Sequence, residues 1–253
     1  MSERWPSKLW VVRHGESAGN VARDAAHTAG LQDIDITERD VDVPLSPLGQ
    51  RQSRALGRWF EAMTPENRPD VVLSSPYLRA QSTANIIGEG AGFADSFSGM
   101  VVDERLREKE FGILDRLTKL GIERRHPELA ASRQLVGKFY YRPPAGESWC
   151  DVILRLRSVL DTISLHYEGK RVLIVAHQVV VLCMRYLIEK MDEKTILAID
   201  AQGDVANCAV TEYVLDRKKP GGSLVLTKYN FVAPLERDGA PVTSSPDANV
   251  AAR

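Results

Sequence analysis

Short apolar runs of strand length alternate along this chain with longer stretches of helical periodicity, and that alternation limits the fold more than any other feature. The β-type runs are Lys8–Val12, Asp70–Ser74, Met100–Val102, Arg171–Ala176 and Cys208–Leu215. A sixth, Ser223–Tyr229, follows Pro220-Gly221-Gly222, a turn signal that predicts a hairpin with the run before it. Pro47–Met63 begins after Ser46 with proline at the first helical position, and its Leu48, Ala55, Leu56, Trp59 and Phe60 share one broad face. Pro76–Ile87 also opens on proline after a serine. Glu147–His166 carries Val152, Ile153, Leu156, Val159, Leu160 and Ile163 on one stripe, and Val179–Lys190 is a fourth helix.

Strands alternating with helices predict an α/β fold with a mostly parallel sheet. In such sheets reactive groups gather at the carboxyl ends of the strands. The 253 residues, 43% of them hydrophobic, suffice for a sizeable core, and residues 1–235 are expected to form a single domain. The segment Gly112–Pro144 is polar and helix-prone, so residues 112–146 read as an insertion lying over the sheet. From Glu236 onward the chain is rich in Ala, Pro, Ser and Asp, which predicts a flexible tail over 236–253.

A formal net charge of -1 argues against a nucleic-acid or membrane partner held by bulk charge. No stretch approaches the roughly 18 to 20 apolar residues of a membrane helix. Met1–Lys8 lacks the apolar run of a secretory signal. Cys150, Cys183 and Cys208 are odd in number and show no C-x-x-C spacing, so neither a disulfide framework nor a cysteine-rich zinc site is expected. A reduced, cytoplasmic setting fits that pattern. The edge strands leave a homodimer open, and nothing in the sequence forces one.

The first strand run ends in Arg13-His14-Gly15-Glu16-Ser17, with Asn20 three residues on. A guanidinium is a planar fork for phosphate oxygens, and an imidazole beside it can be a nucleophile. Gly15 lets the backbone turn closely around an anion. On its own the pair is equally a surface turn that happens to hold a histidine. The fourth run ends the same way, in Ala176-His177, so two of the five histidines close apolar strands and would emerge on one edge of a parallel sheet. The second run leads through Ser74-Ser75-Pro76-Tyr77-Leu78 to Arg79, near a helix N-terminus. There an arginine opposes the helix dipole, which a bound anion would explain. The third run leads to the charge-dense loop Glu104–Gly112, where one carboxylate can serve as acid and base.

With these motifs in this order, the chain resembles the histidine phosphatase superfamily, also called the phosphoglycerate mutase-like family. Its R-H-G motif is matched by Arg13-His14-Gly15, its S-S-P-x-x-R by Ser74 to Arg79, and its L-x-E-x-x-x-G loop by Leu106 to Gly112. Its G-E-S helix start is matched by Gly146-Glu147-Ser148 and its second histidine by His177. The resemblance spans roughly residues 8 to 215. It implies a three-layer α/β/α sandwich, phosphoglycerate mutase-like, with a helical lid insertion. It also implies a soluble enzyme that needs no metal or other cofactor and takes a small phosphomonoester.

The roles follow from the resemblance. His14 would attack phosphorus in line and form a phosphohistidine, while Arg13, Arg79, His177 and Asn20 hold the phosphoryl oxygens. Glu108 would protonate the leaving alcohol and then activate water, although Glu104 and Glu110 lie close by and only motif spacing prefers Glu108. Many members follow the second histidine with glycine, and here Gln178 stands in that place, where its side chain would either crowd the phosphate or contact it. Mutases of the family carry an Arg-Arg pair before a run of prolines in the lid. Here the stretch reads Tyr140-Tyr141-Arg142-Pro143-Pro144, nearer the fructose-2,6-bisphosphatase-like branch, and Arg124-Arg125 lies further upstream. Tyr141 and Arg142 would then reach the substrate, or the aromatics simply pack the lid. The expected activity is a phosphomonoesterase. Mutase-type transfer is the runner-up, and a non-catalytic phospho-ligand module is a third reading.

Overall fold

A computed structural model describes residues 4–90, 99–218 and 222–244. The strands are β1 (Lys8–Arg13), β2 (Val71–Ser74), β3 (Val101–Val102), β4 (Arg171–Ala176), β5 (Val210–Asp216) and β6 (Ser223–Phe231). They form one sheet in the order β3-β2-β4-β1-β5-β6. The pairs β3–β2, β2–β4 and β4–β1 are parallel, whereas β1–β5 and β5–β6 are antiparallel. The mostly parallel sheet and the terminal hairpin are therefore both present. The hairpin's Pro220-Gly221 signal lies outside the described residues.

Period-two alternation explains how the sheet is covered. Leu9 and Val11 of β1 join Val172, Ile174 and Ala176 of β4 on one face. Against them pack α6 (Trp149–His166) and α7 (Gln178–Ile188). Trp10, Val12, Leu173 and Val175 point the other way. They meet α2 (Pro47–Glu61) and α3 (Leu78–Gly90) through Ala55, Leu56, Phe60, Ala80, Ala84 and Ile87. The result is a three-layer α/β/α sandwich. Local signals set the helix starts. Ser46 caps α2 through Gly49 N with Pro47 at the first position, and Ser148 and Asp151 form a reciprocal capping box at α6.

Three helices escape the periodicity argument. Helix α1 (Ala18–Thr28) buries only Asn20, Arg23 and Ala26, so it shows no apolar stripe, and its start is set by the Ser17–Asn20 capping box. Helix α8 (Glu193–Gln202) buries little beyond Ile196 and is capped by Asp192. Helix α9 (Ala233–Arg237) lies where the tail was expected to begin.

The flexible tail expected from Glu236 is not what residues 236–244 do. Leu235 and Ala240 sink into the α2/α3 side of the core. Asp238 pairs with Arg58, and Gln52 Nε2 donates to Pro241 O and Thr243 Oγ1, both at 2.9 Å. Asn207 N donates to Thr243 O at 2.8 Å. Composition did not reveal this because the anchors within 236–244 are single contacts: one small apolar residue, Ala240, one ion pair and a few hydrogen bonds. Positions 245–253 lie outside the described residues.

The 112–146 segment carries two short helices, α4 (Lys119–Arg125) and α5 (Pro127–Val136), over a small cluster of Leu114, Leu117, Ile122 and Tyr141. Among the described residues no helix is long and apolar enough to cross a membrane. The packing predicts that Leu235→Ala costs about 3 kcal/mol in urea denaturation, as for other fully buried leucines. Leu135→Ala, at a position 89% exposed, should change the same measurement by no more than about 0.5 kcal/mol.

Candidate active site

The site is built on the ladder between β1 and β4. Their parallel register pairs Arg13 with Ala176, and His14 N donates to Ala176 O at 2.9 Å. The residue after each strand is a fully buried histidine, and the His14 and His177 rings meet edge-on with centroids 5.1 Å apart. The expectation that both would emerge on one sheet edge is met.

His14 is held in one tautomer. A carbonyl oxygen only accepts, so the 2.6 Å contact between His14 Nδ1 and Gly15 O places the proton on Nδ1. Arg79 Nε donates to His14 Nε2 at 3.2 Å, which requires a lone pair there. The imidazole is therefore neutral, with its basic nitrogen turned toward a guanidinium. Packing alone requires a glycine at Gly15. A Cβ on it would stand 2.6 Å from the Gly49 carbonyl oxygen.

Arg13 is fully buried and donates from Nη1 to Val205 O at 2.5 Å. Arg79, second residue of α3, is also buried and gives Nη1 to Asp40, to the carbonyl at 2.6 Å and the carboxylate at 2.9 Å. Its guanidinium lies 4.8 Å from the centre of the Tyr77 ring, which also stands 5.0 Å from His177. Burial, then the nearby carboxylates Asp40 and Glu110, push the Tyr77 phenol far up, so it is a neutral donor, to Glu110 Oε1 at 3.2 Å. Asp40 sits on a single 3-10 turn without periodicity, and no sequence signal marks it. Ser75, inside a quoted motif, also went unassigned. Its hydroxyl lies 2.7 Å from His177 Nε2.

Glu108 closes the ring. It is 1% exposed, with Oε1 accepting from Lys109 N at 2.7 Å and Oε2 standing 3.9 Å from His177 Nδ1. Glu104 and Glu110 are not so placed. Glu104 starts a 3-10 turn and Glu110 turns to Tyr77. Asn20 accepts through Oδ1 from Ser17 N and Ser17 Oγ, so its amide nitrogen is its donating end. With Ser17, Arg23, Asp40, Arg79, Phe111 and Arg116 it lines a cleft beside this ring. Helices α1, α3 and α7 all start at this edge, and their N-terminal dipoles add positive potential.

Three expected site residues are placed elsewhere. Arg142 has a 62% exposed side chain and is held by the Asp151 carboxylate, where it supports the start of α6. Gln178 gives Nε2 to Asp204 Oδ1 at 2.8 Å. Tyr141 packs in the lid cluster, and its buried hydroxyl has no hydrogen-bond partner. That residue lines a smaller pocket with Lys109, Phe111, Leu129, Arg133 and Pro143. Among the described residues no group of three or more His, Cys, Asp or Glu is arranged for a metal ion.

Lys109 had no sequence signal beyond its neighbours, yet it is 5% exposed and rests 4.1 Å over the Phe111 ring. Burial, reinforced by Arg133, brings its pKa down to about 8. The unfolded chain, with a lysine near 10.4, then binds more protons than the folded chain between the two values. Stability should rise with pH across that window, by up to roughly 3 kcal/mol, and be lost as pH falls through it. Urea midpoints from pH 7 to 10.5 will show this rise in the wild type, and Lys109→Met will flatten it.

The comparisons agree with this geometry. The model of the "Histidine phosphatase superfamily (branch 1)" matches residues 9–227. Phosphoglycerate mutase-like protein AT74H of Arabidopsis thaliana is 28% identical over 221 residues, 80% of this chain and 72% of that protein. The structure of Bacillus stearothermophilus YhfR superposes with a TM-score of 0.69 at 26% identity, over 90% of this chain and 98% of its own. A mycobacterial glucosyl-3-phosphoglycerate phosphatase, solved with VO3, shares the fold with a TM-score of 0.67 at 23% identity, over 89% of this chain and 99% of its own. With a family model covering most of its length and the motif residues gathered at one sheet edge, this chain belongs to the histidine phosphatase superfamily.

Proposed function

We propose that the chain is a phosphomonoesterase that works through a phosphohistidine at His14, with Glu108 as proton donor, on small phosphorylated metabolites. The observation that carries the reading is the state of His14. Its proton is bound to Gly15 O, and its basic Nε2 faces the Arg79 guanidinium among Arg13 and His177. A neutral nucleophile surrounded by donors for equatorial oxygens is what in-line phosphoryl transfer needs, since positioning and charge stabilisation supply most of the catalysis.

In the first step His14 Nε2 attacks phosphorus while the ester oxygen departs with the Glu108 proton. Arg13, Arg79, Asn20 and His177 hold the three equatorial oxygens. In the second step Glu108, now a carboxylate, takes a proton from water, whose oxygen attacks the phosphohistidine. Inorganic phosphate leaves and His14 is neutral again. Phosphate takes over the Arg79 donors that Asp40 and His14 occupy in the free protein.

The lid supports hydrolysis over mutase transfer. Lys138, Arg142 and Arg125 are each paired with a carboxylate, Asp200, Asp151 and Asp33 respectively. A mutase needs lid cations that grip the carboxylate of an acceptor substrate. One observation favours the second reading, which is that Lys109 and Arg133 line a common pocket with the Tyr141 hydroxyl.

Incubation with a phosphomonoester panel, followed by phosphate release and by radiolabel on the protein, tests both readings. Wild type should release phosphate and carry an acid-labile, base-stable label. His14→Ala should lose the label and slow release by roughly a thousandfold. Absence of both phosphate release and histidine label in wild type would refute the enzyme reading. Interconversion of 3- and 2-phosphoglycerate with a bisphosphate primer, without net phosphate release, would select the mutase.

A further inference from the structure

Outside the ring of phosphate-facing groups lies a second buried charge cluster, built from Glu147 and Arg155. Arg155, on the second turn of α6, has a side chain only 9% exposed. Its guanidinium makes four bonds to three residues, one through a carboxylate and two through main-chain carbonyls. Nε and Nη2 engage Glu147 Oε1 and Oε2 at 3.0 Å each. Nη1 donates to Arg105 O at 2.5 Å, and Nη2 to Glu108 O at 3.2 Å.

Glu147 completes the clamp from the other side. Its Oε2 accepts from Glu110 N at 3.1 Å and its Oε1 from Arg107 Nη2 at 2.7 Å. Its own N donates to Glu110 O at 2.9 Å. The segment 105–110 is thus tied at Arg105, Arg107, Glu108 and Glu110 to one ion pair at the start of α6. Its regular structure is a single 3-10 turn, Glu104–Leu106, so ladder hydrogen bonds do not hold the rest. Neither Glu147 nor Arg155 is among the groups proposed to touch the phosphoryl group.

We propose that Arg155 and Glu147 are positioning residues for Glu108, and that their ion pair sets the proton-donating geometry without contributing to capture of the phosphate. The inference rests on the assignment of Glu108 as proton donor. A largely buried bidentate pair with further partners on both sides is stiff, because displacement would strand a charge away from its partner. A general acid must stand within hydrogen-bond reach of the oxygen it protonates, and a misplacement of about 1 Å can cost on the order of a hundredfold in rate.

The consequence is selective. A leaving group that departs readily as an anion does not need the proton, whereas an alkoxide does. Loss of the clamp should therefore slow transfer from alkyl phosphates to His14 and spare transfer from aryl phosphates, while hydrolysis of the phosphohistidine, which uses Glu108 whatever the leaving group, slows alike for both. A general loosening of the fold, or damage to the Arg13–Arg79 cradle, would slow both transfers alike.

The experiment compares glycerol phosphate and p-nitrophenyl phosphate as substrates for wild type, Arg155→Met, Arg155→Lys, Glu147→Gln and Glu108→Gln. Arg185→Met serves as a control for loss of a partly buried ion pair, here with Glu189, on the same side of the sheet. The expected result is a fall in kcat/KM of about ten- to a hundredfold on glycerol phosphate for Arg155→Met and Glu147→Gln, with a displaced basic limb in its pH profile. The same variants should stay within about threefold in kcat/KM on p-nitrophenyl phosphate, and all the losses and selectivities below are read in kcat/KM. Arg155→Lys should recover part of the alkyl activity, because it keeps the charge near Glu147 while losing the fork.

Equal losses on both substrates, or no loss on either, in a folded Arg155→Met or Arg155→Lys protein would overturn the proposal. So would the same alkyl selectivity in Arg185→Met. Glu108→Gln separates this inference from its premise. If that variant shows no alkyl selectivity, the assignment of Glu108 fails. If it does and the Arg155 variants do not, only the clamp fails.

Discussion

One parallel pairing, β1 on β4, decides where the chemistry of this protein can be. The ladder runs in unbroken register from Lys8–Arg171 to Arg13–Ala176 and then continues one step past the strands, through His14 N and Ala176 O. That extra main-chain bond makes the two imidazoles neighbours. A shift by one residue would turn each side chain to the opposite face and separate them. The ladder in turn depends on burial. Leu9 through Val12 and Val172 through Ala176 are at most 1% exposed, so helices on both faces compress the strands that carry the site. Core packing and active-site geometry are one constraint here.

Burying two guanidinium groups beside two imidazoles requires acceptors for each charge. The protein supplies them from parts that differ in rigidity. Arg13 is bound to the Val205 carbonyl, which lies beyond the end of α8 and is fully buried. Arg79 is bound to Asp40, whose side chain is 42% exposed and whose only regular structure is one 3-10 turn. The Asp40 carboxylate holds Arg79. The α3 helix start places Arg79 against its own dipole, and the internal anion at Asp40 accounts for an arginine there.

The sheet, the principal helices and the histidine pair were legible in the sequence because each depends on a local pattern. Alternation marked the strands, Ser-Pro starts and apolar stripes marked the helices, and Arg13-His14 and Ala176-His177 both ended apolar runs. Asp40, Ser75 and Arg155 were not legible as site residues. Their contribution comes from contacts across 39, 102 and 47 positions, to Arg79, His177 and Glu108 respectively, and a single sequence carries no record of such pairs. The same reason hides the partners of other residues. Arg142 and Gln178 were assigned by nearness to motifs, and carboxylates at Asp151 and Asp204 pair with them. The residues after Glu236 looked like a tail because one buried alanine, one ion pair and a few hydrogen bonds leave almost no compositional trace.

The lid is joined to the sheet edge through backbone that few residue types tolerate. Gly112 has φ +56, and a Cβ there would lie 2.0 Å from the Pro144 carbonyl oxygen, so the two ends of the insertion pass in direct contact. Arg116 takes the same left-handed conformation, at φ 59, without being glycine. Strain of that kind costs on the order of 1–3 kcal/mol and persists only where the surroundings compensate. They do so at Arg116, whose carbonyl accepts from Ile34 N at 2.8 Å. Its guanidinium donates to Ile36 O at 3.2 Å and Glu38 O at 2.8 Å. One residue therefore fastens the 34–40 loop, which ends at Asp40, to the lid, and lines the cleft between them. The wall that sets the cleft's width and the turn that presents Asp40 to Arg79 are mechanically one piece. Arg79 and the lid are therefore tied through one short segment, Ile34 to Asp40.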